Sequence, residues 1–261
     1  MFFLKTRLKE IYQKKDLLAS LIVKNLKGKY MGSRLGFGWS ILNPILLAFV
    51  VSFVFTNVFQ SQKTNFTSFV LSGLLPWFFF ASSLSESASS ILNGKSLLRQ
   101  FPIPVEMFPL SATVANFIIF LTGLSIMLPF FIWTNPLLLP SLPYLILLLI
   151  IFCFFVIGIS FIIAVLNILF RDTAHILNIG LMLWMWVTPI FYSIDAVPLP
   201  YSRVYYFNPM CPFIYLFHVL LHDNAAPVAL YFLRVFALSV FVFIGGYGFF
   251  LKLEDKLIKS M

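Results

Sequence analysis

Long stretches almost free of charge recur along this chain, separated by short clusters of charged, proline and polar residues. Six stand out, over residues 39–59, 67–92, 108–133, 142–170, 176–192 and 228–251. The first carries no charge and has about 21 residues, which as helix at about 1.5 Å per residue crosses a hydrocarbon core of about 30 Å. The pattern predicts an all-α polytopic membrane protein with six transmembrane helices. They form one domain over residues 1–261, with both termini on one side.

Two segments break the pattern. Residues 1–38 alternate charge with apolar residues and lack the uninterrupted apolar core of a cleavable signal peptide. Leu4, Leu8, Ile11, Leu18, Leu21 and Ile22 fall near one helical face while Lys and Arg take the other, which predicts an amphipathic helix in the interface, serving as a lipid anchor or as a docking surface for a cytosolic partner. Asp16 is placed to cap a second helix beginning at Leu17. Residues 193–227 are aromatic and proline-rich with three charges, and they are too interrupted for two crossings. A re-entrant segment between spans five and six is expected there, which requires cover from protein or a water-filled cavity.

Composition supports the membrane reading: 61% of residues are hydrophobic, 10% are charged and the mean hydropathy is +0.97. Charge distribution orients the spans, because Lys and Arg beside span ends stay in the cytoplasm. Nine basic residues lie within residues 1–38, among them Arg34 at a glycine-bearing junction into the first span. With the second and fourth loops and the tail, fifteen basic residues face one side, against Lys63, Arg203 and Arg234 on the other. Both termini are therefore expected in the cytoplasm. The net charge of +9 points to anionic lipid headgroups and needs no nucleic acid.

Candidate chemistry is sparse. Gly94-Lys95-Ser96 mimics the end of a phosphate-binding loop, but Ser89 stands where that loop needs glycine and a span precedes it in place of a strand. His218 and His222 share helical spacing beside Asp223, which suits two interfacial imidazoles as well as a metal. Glu86 and Glu106 lie near span ends, where a carboxylate reaches water or a basic neighbour. Arg234, inside the sixth span, either snorkels outward or faces a polar path. Cys153 and Cys211 lie at different depths and read as apolar fillers. Asn65-Phe66-Thr67 is a glycosylation-type triplet of little weight. No metal site and no catalytic residue is expected.

Four patches align with one family. The first is Leu17, Leu21, Lys24, Leu26, Lys27 and Tyr30 ahead of Ser33, Leu35-Gly36, Trp39 and Asn43-Pro44. The second is the inner loop with Leu97, Leu98, Arg99, Phe101-Pro102 and Phe108-Pro109. The third runs from Asn167 through Phe170-Arg171-Asp172 to Thr188-Pro189-Ile190-Phe191-Tyr192, and the fourth is Phe207-Asn208-Pro209 with the segment after it. In order and spacing they resemble, over nearly the whole chain, the membrane subunit of type-2 ABC exporters for O-antigen, capsular polysaccharide and teichoic acid. His218 departs from the pattern, standing where arginine is expected, and Pro104 is additional in the inner loop.

The resemblance implies a homodimeric permease in a bacterial inner membrane. Two copies of a separate ATPase would bind ATP and Mg, with no cofactor on this chain, and a lipid-linked polysaccharide such as O-antigen or capsule would pass between the permeases. Lys95, Leu97, Leu98 and Arg99 make a compact loop suited to a partner's cleft, and the resemblance implies that it couples to the ATPase. Arg171 and Asp172 join spans four and five at the cytoplasmic edge and are expected to pin helix ends. Aromatic residues make up 18% of the chain; they anchor in the interface, and sugar C–H faces also stack on aromatic rings. Trp39, Asn43 and Asn57 in span one, and Met185, Thr188 and Tyr192 in span five, recur at helical spacing. They are candidates for the subunit interface and substrate path, and ordinary helix packing explains each residue equally well.

Two other readings are open. A type-2 ABC exporter of small lipophilic compounds would share the topology. A membrane-embedded lipid- or glycan-modifying enzyme would gather acids or histidines at one membrane face.

Overall fold

The structure, a computed structural model, describes residues 7, 10, 12–30, 36, 38–58, 65–136, 138–198, 201–223 and 229–259. Leu4, Leu8, Ile11, Ser33, Arg34, Leu35, Phe59 and Lys63 lie outside them, as do parts of the 193–227 segment. Among the described residues nine α-helices follow in order: α1 Lys15–Tyr30, α2 Gly38–Phe53, α3 Phe66–Asn93, α4 Lys95–Gln100, α5 Met107–Thr134, α6 Leu138–Leu169, α7 Thr173–Val187, α8 Cys211–Leu221 and α9 Ala229–Lys259. A π-helical turn, Val54–Val58, closes α2, and two 3-10 turns, Ile194–Ala196 and Tyr201–Tyr206, lie between α7 and α8. Among the described residues there is no strand.

Among the described residues, four helices are long and apolar enough to cross a membrane: Phe66–Gln100, Met107–Thr134, Leu138–Leu169 and Ala229–Leu253. The other two expected spans are shorter as helix. α7 has 15 residues, about 23 Å of rise against the core's about 30 Å. It stops at Val187 because Thr188 precedes Pro189, whose ring disfavours helical backbone there, and Thr188 is extended at φ −95°, ψ 135°. α2 keeps regular helix for 16 residues before the π-turn. α8, with 11 residues, is far too short to span. Nearly all of its side chains are buried, so this segment packs inside the bundle.

α3 is the central post, buried along most of its length against α5, α6, α7 and α8. The core is aromatic: Phe213 of α8 lies 5.0 Å from Phe152 and 4.7 Å from Phe155 of α6, and Phe217 lies 5.6 Å from Phe152. α6 and α9 meet backbone to backbone. A Cβ on Gly246 would fall 2.1 Å from the Gly158 carbonyl oxygen. Small residues permit this approach, which yields dispersion where lipid offers no hydrophobic drive.

α1 differs from the expectation of a helix on lipid alone. Asp16 lies within its first turn and does not cap it. Its apolar side faces protein: Leu21 is buried, and Leu17 and Leu18 pack on a second core cluster with Ile91, Ile103, Val105 and Phe108.

Candidate functional site

At the end of the bundle that carries α4, the chain turns sharply between α3 and α5. Gly94 makes the turn possible, because a Cβ there would sit 2.1 Å from the Phe108 ring. The Gly94-Lys95-Ser96 triplet is thus a helix-to-helix corner. In α4, Leu97 and Leu98 are half-buried against the second core cluster, Lys95 is half-buried and Arg99 is exposed. The apolar groups this corner presents outward are Leu92 (43% exposed) and Phe101 (55%). Phe101 belongs to the family patch of the inner loop, and its extended backbone after α4 turns the ring out.

α1 and the residues just before it are tied to this corner and to the helices behind it. Lys14 Nζ donates to the Pro102 carbonyl, and Arg7 faces buried Glu106 at 4.0 Å. Asn25 Nδ2 donates to Ser111 Oγ (3.1 Å). At the far end of α1, Lys29 Nζ lies 2.6 Å from Glu86 Oε1, and Asn116 Nδ2 donates to Glu86 Oε2 at 2.8 Å. Glu86 and Glu106 therefore both have basic neighbours on the N-terminal segment, which docks along α5 and reaches α3. Beside Lys29 a cavity of about 230 Å³ is lined by Trp39, Asn43, Phe78, Phe79, Ser82 and Asn116. Of the proposed path residues, Trp39 and Asn43 meet here.

The junction of α6 and α7 is pinned by Asn167: its Nδ2 donates to the Ala88 carbonyl of α3 (2.8 Å), and its Oδ1 accepts from Ala174 N–H (3.0 Å). Arg171 and Asp172 are exposed, and the Asp172 side chain makes no capping bond to α7. At the other end of α7, Asn208 Oδ1 accepts from Trp184 Nε1 (2.9 Å) and Met210 N–H (3.0 Å), while its Nδ2 donates to Thr188 Oγ1 (3.1 Å). Thr188 is fully buried and donates to the Trp184 carbonyl at 2.8 Å. Met185 is half-buried against the main core. Asn57 is exposed and bonds to Phe53 of its own helix.

At this α8 end a larger cavity of about 460 Å³ opens between α3, α8, α9 and the 3-10 turns. Tyr192, Tyr205, Tyr215, Tyr231, His218 and Arg234 contribute to its wall. Tyr192 Oη donates to the Trp186 carbonyl (2.9 Å) and lies 2.8 Å from Tyr205 Oη. His218 is stacked on Phe69 with centroids 4.0 Å apart, and Gly73 leaves room for its ring. Its Nε2 lies 3.1 Å from the Pro189 carbonyl, which only accepts, so this nitrogen carries hydrogen. Nδ1 lies 2.8 Å from Ser72 Oγ, itself 2.7 Å from the Phe69 carbonyl. His222 instead pairs with Asp223 at 3.8 Å.

Known proteins share this layout of sequence. Residues 16–222, from α1 to the end of α8, match the family described as ABC-2 type transporter. The chain is similar to the O-antigen export system permease protein RfbA of Myxococcus xanthus, 30% identical over 261 residues that cover 97% of this chain and 98% of the relative. It is also similar to two proteins of that name from Klebsiella pneumoniae, 32% and 34% identical over 210 and 203 residues, which in each case cover 76% of this chain and 77% of the relative. The family patches read from the sequence hold the junctions just described, Gly94 with Phe108, Asn167 with Ala88 and Asn208 with Thr188, and the chain belongs to the ABC-2 type transporter family.

Proposed function

We propose that the chain is the permease subunit of an ATP-driven exporter that carries a cell-surface polysaccharide, lipid-linked in transit, across the bacterial cytoplasmic membrane. Its end-to-end likeness to an O-antigen export permease carries this reading. The permease works as a homodimer with two ATPase subunits, which hold ATP and Mg. The faces of α2 with its π-turn and of α7 fit such a dimer: on largely apolar exposed surfaces they carry the amides Asn43, Asn57 and Asn178; Asn57 bonds to Phe53 and Asn178 accepts from Ser85 of α3, and the hydrogen-bonding groups left over are costly against lipid tails and at home beside a partner or a wet path. Trp39, Asn43, Asn57, Met185, Thr188 and Tyr192 are the residues proposed along that path.

Six crossings complete the topology, with the first and fifth extended by the non-α backbone that follows α2 and α7. The α8 segment dips back from the outer side as a re-entrant element, and both termini are cytoplasmic. The α4 corner, with Lys95, Leu97, Leu98 and Arg99, receives the ATPase stroke, and Arg171 with Asp172 marks the second cytoplasmic junction. Deleting the gene tests direction and cargo together. Lipid-linked glycan is expected to accumulate inside the cell and to clear when the gene is restored. Normal surface glycan, with loss of efflux of a small lipophilic compound, would overturn the polysaccharide reading.

A further inference from the structure

The cavity of about 230 Å³ is walled within one chain by Trp39 and Asn43 of α2, Ser82 of α3, and Asn116 and Gly123 of α5, with Lys29 of α1 at its rim. Gly123 makes the room: it is buried, yet a Cβ built on it meets nothing within 4 Å. The chemistry of the wall selects a class of ligand. Lys29 is the one charged side chain among the described lining residues. Glu86 Oε1 stands 2.6 Å from its Nζ, and Asn116 Oδ1 is a second acceptor. An incoming anion therefore meets a cation already matched, with a carboxylate beside it, and gains little.

Hydrocarbon fits no better. Among the described residues no hydrogen bond engages the side chain of Asn43 or Ser82, and an alkyl chain laid over them would leave donors and acceptors dry. A neutral ring of hydroxyls and C–H faces answers both demands. Asn43 and Ser82 each donate and accept, and the Trp39 ring, 41% exposed, offers a π face on which C–H groups stack. The volume is below the about 300–1,000 Å³ of pockets for drug-sized ligands, which suits one ring of a longer molecule, and Phe78, Phe79 and Phe120 continue the wall as an apolar surface. We propose that this cavity binds one neutral sugar ring of a lipid-linked glycan, with Trp39 as the stacking platform and Asn43 and Ser82 as hydroxyl partners. The identity of the ligand as a glycan in transit rests on the polysaccharide reading above, whereas the preference of the cavity for a neutral sugar does not.

The test uses the full-length chain in nanodiscs and dodecyl probes that bear a diazirine next to the head, followed by mapping of photo-adducts. The head is glucose, mannose or N-acetylglucosamine, or else phosphate or a bare hydroxyl. At least one glycoside is expected to label residues 75–82 and 116–123 about fivefold or more above the phosphate and the alcohol, with Trp39→Ala removing that excess and Trp39→Phe, which still stacks, keeping part of it. Gly123→Leu fills the cavity from its wall. It replaces a helix glycine by a strong helix former and removes a void, so the chain is expected to fold as well as the parent while glycoside labelling drops to the level of the alcohol. Labelling as strong with the alcohol identifies a hydrocarbon groove, and labelling strongest with the phosphate identifies an anion site. Either result would overturn the proposal, as would no labelling by any of the three glycosides or labelling unchanged in both Trp39→Ala and Gly123→Leu. Surface glycan is scored separately in cells: a glycoside-labelled cavity in a chain whose deletion leaves surface glycan normal would overturn the polysaccharide reading and keep the sugar site.

Discussion

The side chain of Asn208 serves three partners at once, so it joins α7, the turn after it and the start of α8 through one amide. A buried polar group left without a partner costs about 1–3 kcal/mol, and Asn208→Ala would strand Trp184 Nε1 and the Met210 N–H. Its expected effect is a loss on the order of 3 kcal/mol, read as a lowered midpoint of thermal unfolding of the detergent-purified chain. Asn208→Asp keeps both acceptor roles and is expected to be milder. The motif Phe207-Asn208-Pro209 is legible in the sequence as a family patch, but its job is not, since the partners lie 20 and 24 residues away. Thr188 shows the same limit: helical spacing marks it as one of a face, and only the fold reveals that its hydroxyl is engaged by Asn208 and Trp184.

Among elements, the long apolar runs were legible because twenty or more uncharged residues have few alternatives to a buried or membrane-crossing helix. α7 was legible as a run but not in its length, which Pro189 cuts short. The α6–α9 crossing was hidden, because Gly245 and Gly246 look alike in sequence: a Cβ on Gly245 meets nothing within 4 Å, while one on Gly246 meets the Gly158 carbonyl oxygen. α4 was legible in place and less so in which side it offers. Leu97 and Leu98 were expected to enter a partner's cleft, yet both lean on the chain's own second cluster, so replacing them by Asp mixes docking with folding. Phe101→Asp is the cleaner variant, since an exposed ring contributes little to the core. Phe101→Asp is expected to leave expression and insertion near normal while at least halving the ATPase that co-purifies. The double change of Leu97 and Leu98 to Asp is expected to lower the amount of folded permease as well. A full complement of ATPase on Phe101→Asp would move docking to another surface, with α1 the next to test.

For the whole molecule, exposure alone does not locate a dimer face, because lipid tails cover apolar side chains as well as a protein does. α9 illustrates this: Phe241 is 75% exposed and Ile244 65%, with no exposed amide beside them. α7 differs, since Asn178 and His175 lie among exposed Ile176, Ile179, Met182 and Trp186, and only Leu181 of the helix is buried. A short helix with polar groups on its outer face is poorly matched to lipid and well matched to a second copy across a wet path. With Cys153 and Cys211 replaced by Ser, Ile179→Cys is expected to give an oxidant-dependent band at twice the chain's mass in native membranes, and Phe241→Cys is not. The same background reads orientation: an impermeant thiol reagent on intact cells is expected to label Lys63→Cys and to spare Lys95→Cys, because positive charge concentrates on the α4 side. Cross-linking through Phe241→Cys alone would move the interface to α9, and the polymer path proposed along Trp39, Asn43 and Tyr192 would then have no second wall.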